Sequence, residues 1–403
     1  MKNIDFKDKK ALIRVDFNVP LDKNYNITDD TRIQAALPTI QYILDNGGAV
    51  ILMSHLGRPL KKLNEDGSIN VAKFTLKHTV NRLSESLGRP VQFVTETVGN
   101  AASAAASALK AGEVLVLENT RFQKEESKGD ESFAKQLAAL GDIYINDAFG
   151  TAHRAHASTT TVAQFFDADS KSFGFLLNKE LENAKKVTEN PARPLTSIVG
   201  GAKVSDKILL LDKMIEFVDN LIIGGGMAYT FMKAQGGNIG HSLCEEDKLD
   251  LALNLLEKAK ARGVKVYLPE DSIAADQFSE SADKQAAASN DIPDGYMGLD
   301  IGPKAIESFK EVVLASKTIV WNGPMGVFEM ESYAKGTKTI AETVAAATQK
   351  GAFSLIGGGD SVAAVKTMKL DDQVSYVSTG GGAMLELLEG KVLPGVKAIS
   401  EEK

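Results

Sequence analysis

Ala49-Val-Ile-Leu-Met53 is five apolar residues with no polar alternation, and it runs straight into Ser54-His-Leu-Gly-Arg58. An alternating pattern would mark a strand with one wet face. An unbroken Val/Ile/Leu run of this length marks a strand buried on both faces, as in a parallel sheet covered by helices. Ten similar runs lie outward from it. Ala11–Val15, Val91–Val94, Val114–Leu117, Ile143–Ile145 and Leu195–Val199 are five of them. Leu221–Ile223, Val264–Leu268, Thr318–Trp321, Phe353–Ile356 and Val374–Val377 complete the set.

Helical spacing fills many of the gaps. Leu76, Val80, Leu83 and Leu87 recur at helical intervals, as do Leu249, Leu253, Leu256 and Lys260. Leu37-Pro38 is expected to start a helix, because proline suits the first helical position. This alternation predicts an α/β protein with parallel sheets. Eleven strands are many for one twisted sheet, so two sheets are expected. The polar stretch Asp167–Ser172 precedes a helical segment, Leu176–Glu189. The expected organisation is therefore a first domain over 1–170, a hinge helix over 171–190 and a second domain over 191–390.

The chain has 403 residues, 43% of them hydrophobic and 25% charged, which is ordinary for a globular protein of two or three domains. A net charge of −7 argues against a dedicated nucleic-acid binder. No apolar run approaches the roughly 18 residues of a membrane helix, and Met1–Lys10 has no signal-peptide core. The one cysteine, Cys244, cannot form an intrachain disulfide, which fits a reducing cytoplasm.

Chemistry divides between the halves. Seven of nine arginines lie at or before Arg154, several of them just after apolar runs: Arg14, Arg58, Arg121 and Arg154. Arg32 precedes the first helical segment. The carboxyl ends of parallel strands are where ligands bind in open α/β sheets. Guanidinium groups converging there suit a small, multiply anionic substrate. His55, His153 and His156 share these motifs. Zinc is a rival for the histidines, but His153-x-x-His156 lacks the usual partners. Surface ion pairs are the plain alternative for each arginine.

All three triple-glycine runs, Gly224–Gly226, Gly357–Gly359 and Gly380–Gly382, lie in the second half after apolar runs. Gly200-Gly-Ala-Lys203 also follows one, and Lys203 and Lys207 are spaced to share a helical face. Glycine allows close backbone approach, and a helix N-terminus favours phosphate. Asp360 stands where a carboxylate would hold Mg²⁺ on nucleotide phosphates. Tight turns alone are the alternative for any one glycine run. There is no Walker sequence, no complete G-x-G-x-x-G, no protein-kinase signature and no G-x-S-x-G.

Six motifs in order now carry a resemblance. They are Arg14-Val-Asp-Phe-Asn-Val-Pro20, Ser54-His-Leu-Gly-Arg-Pro59, Asn146-Asp-Ala-Phe-Gly-Thr-Ala-His-Arg-Ala-His156, Gly200-Gly-Ala-Lys-Val-Ser-Asp-Lys207, Trp321-Asn-Gly-Pro-Met-Gly-Val-Phe-Glu329 and Gly357-Gly-Gly-Asp-Ser361. Together they resemble the phosphoglycerate kinase family from residue 11 to about residue 395. Thr120, Ser361 and an insertion over Leu60–Asn70 depart from the family pattern.

The resemblance implies a glycolytic enzyme of two parallel-sheet, Rossmann-like three-layer α/β domains facing a cleft and joined by a hinge helix; a cytoplasmic monomer without nucleic-acid or membrane partners is expected. It implies reversible in-line phosphoryl transfer between 1,3-bisphosphoglycerate with Mg-ADP and 3-phosphoglycerate with Mg-ATP, with domain closure. It assigns phosphoglycerate to Asp16, Phe17, Asn18, Arg32, His55, Leu56, Gly57, Arg58, Arg121 and Arg154. It assigns the nucleotide to Lys203, Lys207, Gly298, Asn322, Glu329, Gly357, Gly358, Gly359, Asp360 and Ser361, with Mg²⁺ on Asp360. Arg32, Lys203, Gly358 and Gly381 are the expected catalytic residues. It returns a tail, 391–403, to the first domain. A two-lobed anion-binding protein without catalysis and a nicotinamide dehydrogenase with an unusual fingerprint are the other classes.

Overall fold

The computed structural model describes residues 1–400; the last three residues of the expected tail, 401–403, lie outside the described residues. Each of the eleven apolar runs overlaps a strand. The first unit, Met1–Leu181 with the chain from Val392 onward, is built on one parallel sheet. Its strands are β1 (Lys10–Arg14), β2 (Ala49–Met53), β3 (Val91–Phe93), β4 (Val114–Val116), β5 (Ile143–Asn146) and β6 (Lys171–Phe173), in the order β3-β4-β2-β1-β5-β6. Alternate residues enter two cores. Ala11, Ile13, Val50 and Leu52 join one, and Leu12, Ala49, Ile51 and Met53 the other. That is why the runs do not alternate: both faces are dry.

The second unit, Glu182–Lys391, contains β7 (Leu195–Val199), β8 (Asn220–Ile223), β9 (Lys265–Tyr267), β10 (Asp271–Ala275), β11 (Lys284–Ala288), β12 (Met297–Ile301), β13 (Thr318–Asn322), β14 (Phe353–Gly357) and β15 (Tyr376–Val377). Six of these form a parallel sheet in the order β15-β14-β13-β7-β8-β9. The other three form a separate sheet, β11-β10-β12, paired antiparallel. Two sheets were expected and three are present. The third has alanine-rich strands, and the exposed residues of β11 give no apolar run to read.

Other expectations need correction. Asp167–Ser172 lies inside the first unit, not at its end: it holds a 3₁₀ turn and most of β6, which adds to the edge of the first sheet beside β5. The helix after it spans Phe175–Thr188, and the division between units falls inside it. Pro38 lies inside the helix Thr31–Asp45 rather than opening it. An internal proline costs about 3 kcal/mol, here outweighed by burial of Ile33, Ala36, Ile40, Ile43 and Leu44. In the helix Leu249–Ala261 the buried line is Ala252, Leu255 and Ala259, not Leu249, Leu253 and Leu256. After the second unit the chain rejoins the first. Gly395 N–H donates to Ala152 O at 2.8 Å, and Lys171 Nζ donates to Ala398 O at 3.1 Å.

Candidate functional sites

In the first unit the polar residues gather at the carboxyl ends of β1, β2, β4 and β5. Arg14 ends β1 and is fully buried. Its Nε donates to Ser158 Oγ at 2.7 Å, and its Nη2 lies 3.1 Å from His55 Nδ1. Since guanidinium only donates, His55 Nδ1 accepts and Nε2 carries the ring proton. Burial, then Arg14, Arg121, Arg32 and His156, hold His55 well below the usual histidine range. His55 is therefore a neutral donor. Arg14 belongs to the internal framework, near Glu126 at 4.0 Å.

Arg32 Nη1 donates to Asp16 Oδ1 at 3.2 Å and to Asn18 O at 2.9 Å, yet its side chain remains 37% exposed. Asn18 Oδ1 accepts from Gly57 N–H at 2.7 Å, tying this cluster to the loop after β2. Gly57 has φ +64°, and an added Cβ would stand 2.6 Å from the Phe74 ring. Phe17 and Leu56 are core residues, so only their backbone is offered to a ligand.

Arg58, Arg121 and Arg154 line one cavity of about 260 Å³ together with His156. No carboxylate lines it. Arg121 Nη1 donates to Gly57 O at 2.9 Å while its buried Nε has no partner. Burial, with Arg14 and Arg154 nearby, lowers its pKa to about 10. Burial, then Arg121, Arg14 and Arg154, lower His156 to about 4, and its buried Nδ1 is also unpartnered. Partly desolvated cationic donors around a small cavity with no carboxylate in its lining are chemistry suited to an oxyanion.

In the second unit a cavity of about 630 Å³ is lined by Gly298, Glu329 and Asp360 among the expected residues. Tyr229, His241, Leu243 and Phe278 also line it, and no motif pointed to them. The one available signal was Phe278, a large aromatic in a polar loop, and it is 60% exposed. Gly298 is compulsory: a Cβ there would lie 1.8 Å from Tyr229 Oη. Its N–H donates to Ser242 Oγ at 2.9 Å.

Two helix N-termini meet beside Asn322, the last residue of β13. The helix Gly359–Thr367 has Gly358 as its N-cap, and Gly381–Leu388 opens with Gly381. A Cβ on Gly381 would stand 3.1 Å from Gly358 Cα. Lys207 Nζ donates to Asn322 Oδ1 at 2.5 Å, and buried Asn322 Nδ2 has no partner. Burial lowers the Lys207 pKa. Lys203 and Lys207 do not share a helical face: the helix begins at Ile208, and the glycine-led turn before it leaves Lys203 exposed. Ser361 is fully buried and accepts from Gly323 N–H at 2.6 Å, which braces that loop.

Asp360 sits in the first turn of its helix, exposed at the cavity. Among the described residues no three His, Cys, Asp or Glu side chains cluster as a metal site. A single carboxylate fits Mg²⁺ that arrives on nucleotide phosphates, because that ion keeps water and phosphate oxygens as its other ligands.

Two parallel α/β units, one with an arginine-lined oxyanion cavity and one with a glycine-walled cavity beside helix N-termini, define a two-domain phosphotransferase. The phosphoglycerate kinase family model matches residues 1–391, and the chain belongs to that family. It is a glycolytic kinase with ATP and ADP as co-substrates. It is 53% identical to a phosphoglycerate kinase of Chloroherpeton thalassium over 99% of this chain and 98% of that one. It is 52% identical to the cytosolic phosphoglycerate kinase 3 of Arabidopsis thaliana over 100% and 98%. The solved phosphoglycerate kinase of Coxiella burnetii superposes with a TM-score of 0.88 at 41% identity, over 99% and 98%. Among the described residues no helix is long and apolar enough to cross a membrane.

Proposed function

We propose that the chain transfers the 1-phosphoryl group of 1,3-bisphosphoglycerate to Mg-ADP, and the reverse, with each substrate on its own unit. The observation that carries this reading is the cavity of Arg58, Arg121 and Arg154 with no carboxylate in its lining. The carboxylate and phosphate of phosphoglycerate are the anions those guanidinium groups would hold. His55, fixed by Arg14 as a neutral donor, and Asn18 orient that substrate, while Arg32 keeps exposed N–H groups for the moving phosphoryl.

On the second unit the purine occupies the cavity walled by Gly298 and Phe278, and Glu329 at its rim meets the ribose. The helix N-termini at Gly358 and Gly381 and the free Asn322 amide face the phosphates. Asp360 holds the magnesium, which when bound neutralises phosphate charge. Lys207 orients Asn322, and Lys203, solvated and unpaired among the described contacts, reaches the transferring group.

The acyl phosphate is already activated, so transfer needs positioning and charge neutralisation without a covalent intermediate. In-line transfer brings reacting atoms to roughly 3–3.5 Å. Because the two sites are made of residues from different units, closure of the units is part of the reaction, and it excludes water from the acyl phosphate. Unpaired Cys244 supports a reducing cytoplasm.

The test is a crossed pair of variants. Arg58→Ala is expected to raise the KM for 3-phosphoglycerate and spare that for ATP. Asn322→Ala is expected to do the opposite. Equal effects on both substrates in either variant would overturn the assignment of sites.

A further inference from the structure

The insertion Leu60–Asn70 interrupts the family pattern directly after Arg58-Pro59, and its role is not explained by the site residues above. Its first three-residue turn, Pro59–Lys61, is not loose. Pro59 is buried, Lys61 N–H donates to Arg58 O at 3.1 Å, and Lys62 N–H donates to Pro59 O at 3.1 Å. The turn packs on Thr120–Phe122, which carries Arg121. Lys61 thereby lines the same cavity as Arg58, Arg121 and Arg154. Its amine enters no ion pair or hydrogen bond among the described residues.

The acidic residues of the insertion, Glu65 and Asp66, form no ion pair with it among the described residues. Asp66 Oδ1 is occupied by Ser68, accepting from its N–H at 2.9 Å and its hydroxyl at 2.6 Å. Lys62, one residue on, is equally exposed but lines no cavity described here.

We propose that Lys61 is a substrate-capturing residue, a fourth cation held at the mouth of the arginine cavity to draw in and retain the phosphate end of phosphoglycerate. The inference rests on the assignment of that cavity to phosphoglycerate. Guanidinium forks inside the cavity fix geometry, whereas an ammonium on a flexible stem is a point charge that acts before the ligand is seated. The ligand carries two or more negative charges and Lys61 is solvated. Its attraction therefore belongs to binding and encounter, is weakened by salt over a Debye length of about 8–10 Å, and does not touch the transfer step.

The experiment compares Lys61→Ala, Lys61→Arg and Lys62→Ala in steady state at low and high KCl. Lys61→Ala is expected to raise the KM for 3-phosphoglycerate about three- to tenfold at low salt. The KM for ATP and kcat should hold, and the wild-type salt dependence of that KM should flatten. Lys61→Arg should restore capture, and Lys62→Ala should match wild type. A wild-type KM in Lys61→Ala, or the same rise in Lys62→Ala, overturns the proposal. Arg58→Ala, run alongside, separates the two readings. If it leaves the 3-phosphoglycerate KM unchanged, the cavity itself is misassigned; if it raises that KM while Lys61→Ala does not, only the role of Lys61 fails.

Discussion

Replacing Gly358 by alanine tests whether the glycine wall is built for the nucleotide. Gly358 has φ +85° and ψ 140° at the N-cap of Gly359–Thr367, a conformation that L residues rarely adopt. Holding alanine there costs about 1–3 kcal/mol of backbone strain. A more restricted unfolded chain returns about 0.4–1 kcal/mol. The added Cβ would also stand 3.2 Å from both Asn322 amide atoms, and Lys207 already grips Oδ1 of that amide. Asn322 must therefore shift by a few tenths of an ångström, away from where its free Nδ2 is proposed to meet the phosphates.

A net loss near 2 kcal/mol corresponds to a melting temperature lower by about 4–8 °C for a unit of this size. The KM for ATP should rise about tenfold, and the KM for 3-phosphoglycerate should not. Gly236→Ala is the control. Its φ is +89°, nothing lies within 4 Å of its Cβ, and it lines neither cavity. It should lower stability comparably and leave the nucleotide KM alone. Thermal melting with and without ADP, with steady-state kinetics, reads both effects. Wild-type ADP affinity in Gly358→Ala, or equal loss of affinity in Gly236→Ala, would refute the reasoning.

Arg32→Ala should cut turnover about 10³–10⁵-fold, the scale of a transition-state arginine; a loss under about tenfold in kcat would reduce Arg32 to an orienting role. Asp360→Asn should raise the Mg²⁺ needed for half-maximal activity on the order of tenfold, and an unchanged Mg²⁺ titration would move the metal elsewhere. Closure should appear as a smaller radius of gyration by small-angle scattering with both substrates than with neither, and identical curves at proven saturation would remove it. For pH, burial raises Asp300 to about 7 despite N–H donors from Gly336 and Ile301. A raised folded pKa means the folded state keeps the proton longer, so this group's contribution is fully present below the ordinary aspartate range and is lost as pH rises through about 7. Urea titrations should therefore find Asp300→Asn gaining about 2 kcal/mol relative to wild type between pH 5 and pH 7; a constant difference would contradict that titration.

What could be read in the sequence follows from what was buried. Strands dry on both faces announce themselves, as Ala49–Met53 does, and their carboxyl ends then locate Arg58, Arg121 and Arg154. Lys171–Phe173 escaped because an edge strand needs no apolar run, and Lys284–Ala288 because alanine has little preference for strands. Spacing misplaced Lys203 and Lys207 on a helix because Gly200 and Gly201 keep that segment in a turn. The wall of Tyr229, His241, Leu243 and Phe278 is assembled from positions far apart in the chain, which no local pattern reports. Ser361 sits within a motif but serves the loop at Gly323, a distinction visible only in its hydrogen bond.

The central claim is direct transfer between an ATP-binding unit and a phosphoglycerate-binding unit. A rapid-quench single turnover with γ-³²P-labelled ATP, excess enzyme, Mg²⁺ and 3-phosphoglycerate tests it most directly. The account predicts label moving to an acid-labile acyl phosphate on 3-phosphoglycerate, with no labelled protein at any time and no release of inorganic phosphate when 3-phosphoglycerate is omitted. Label accumulating on the protein, or inorganic phosphate appearing at the same rate with and without 3-phosphoglycerate, would contradict it.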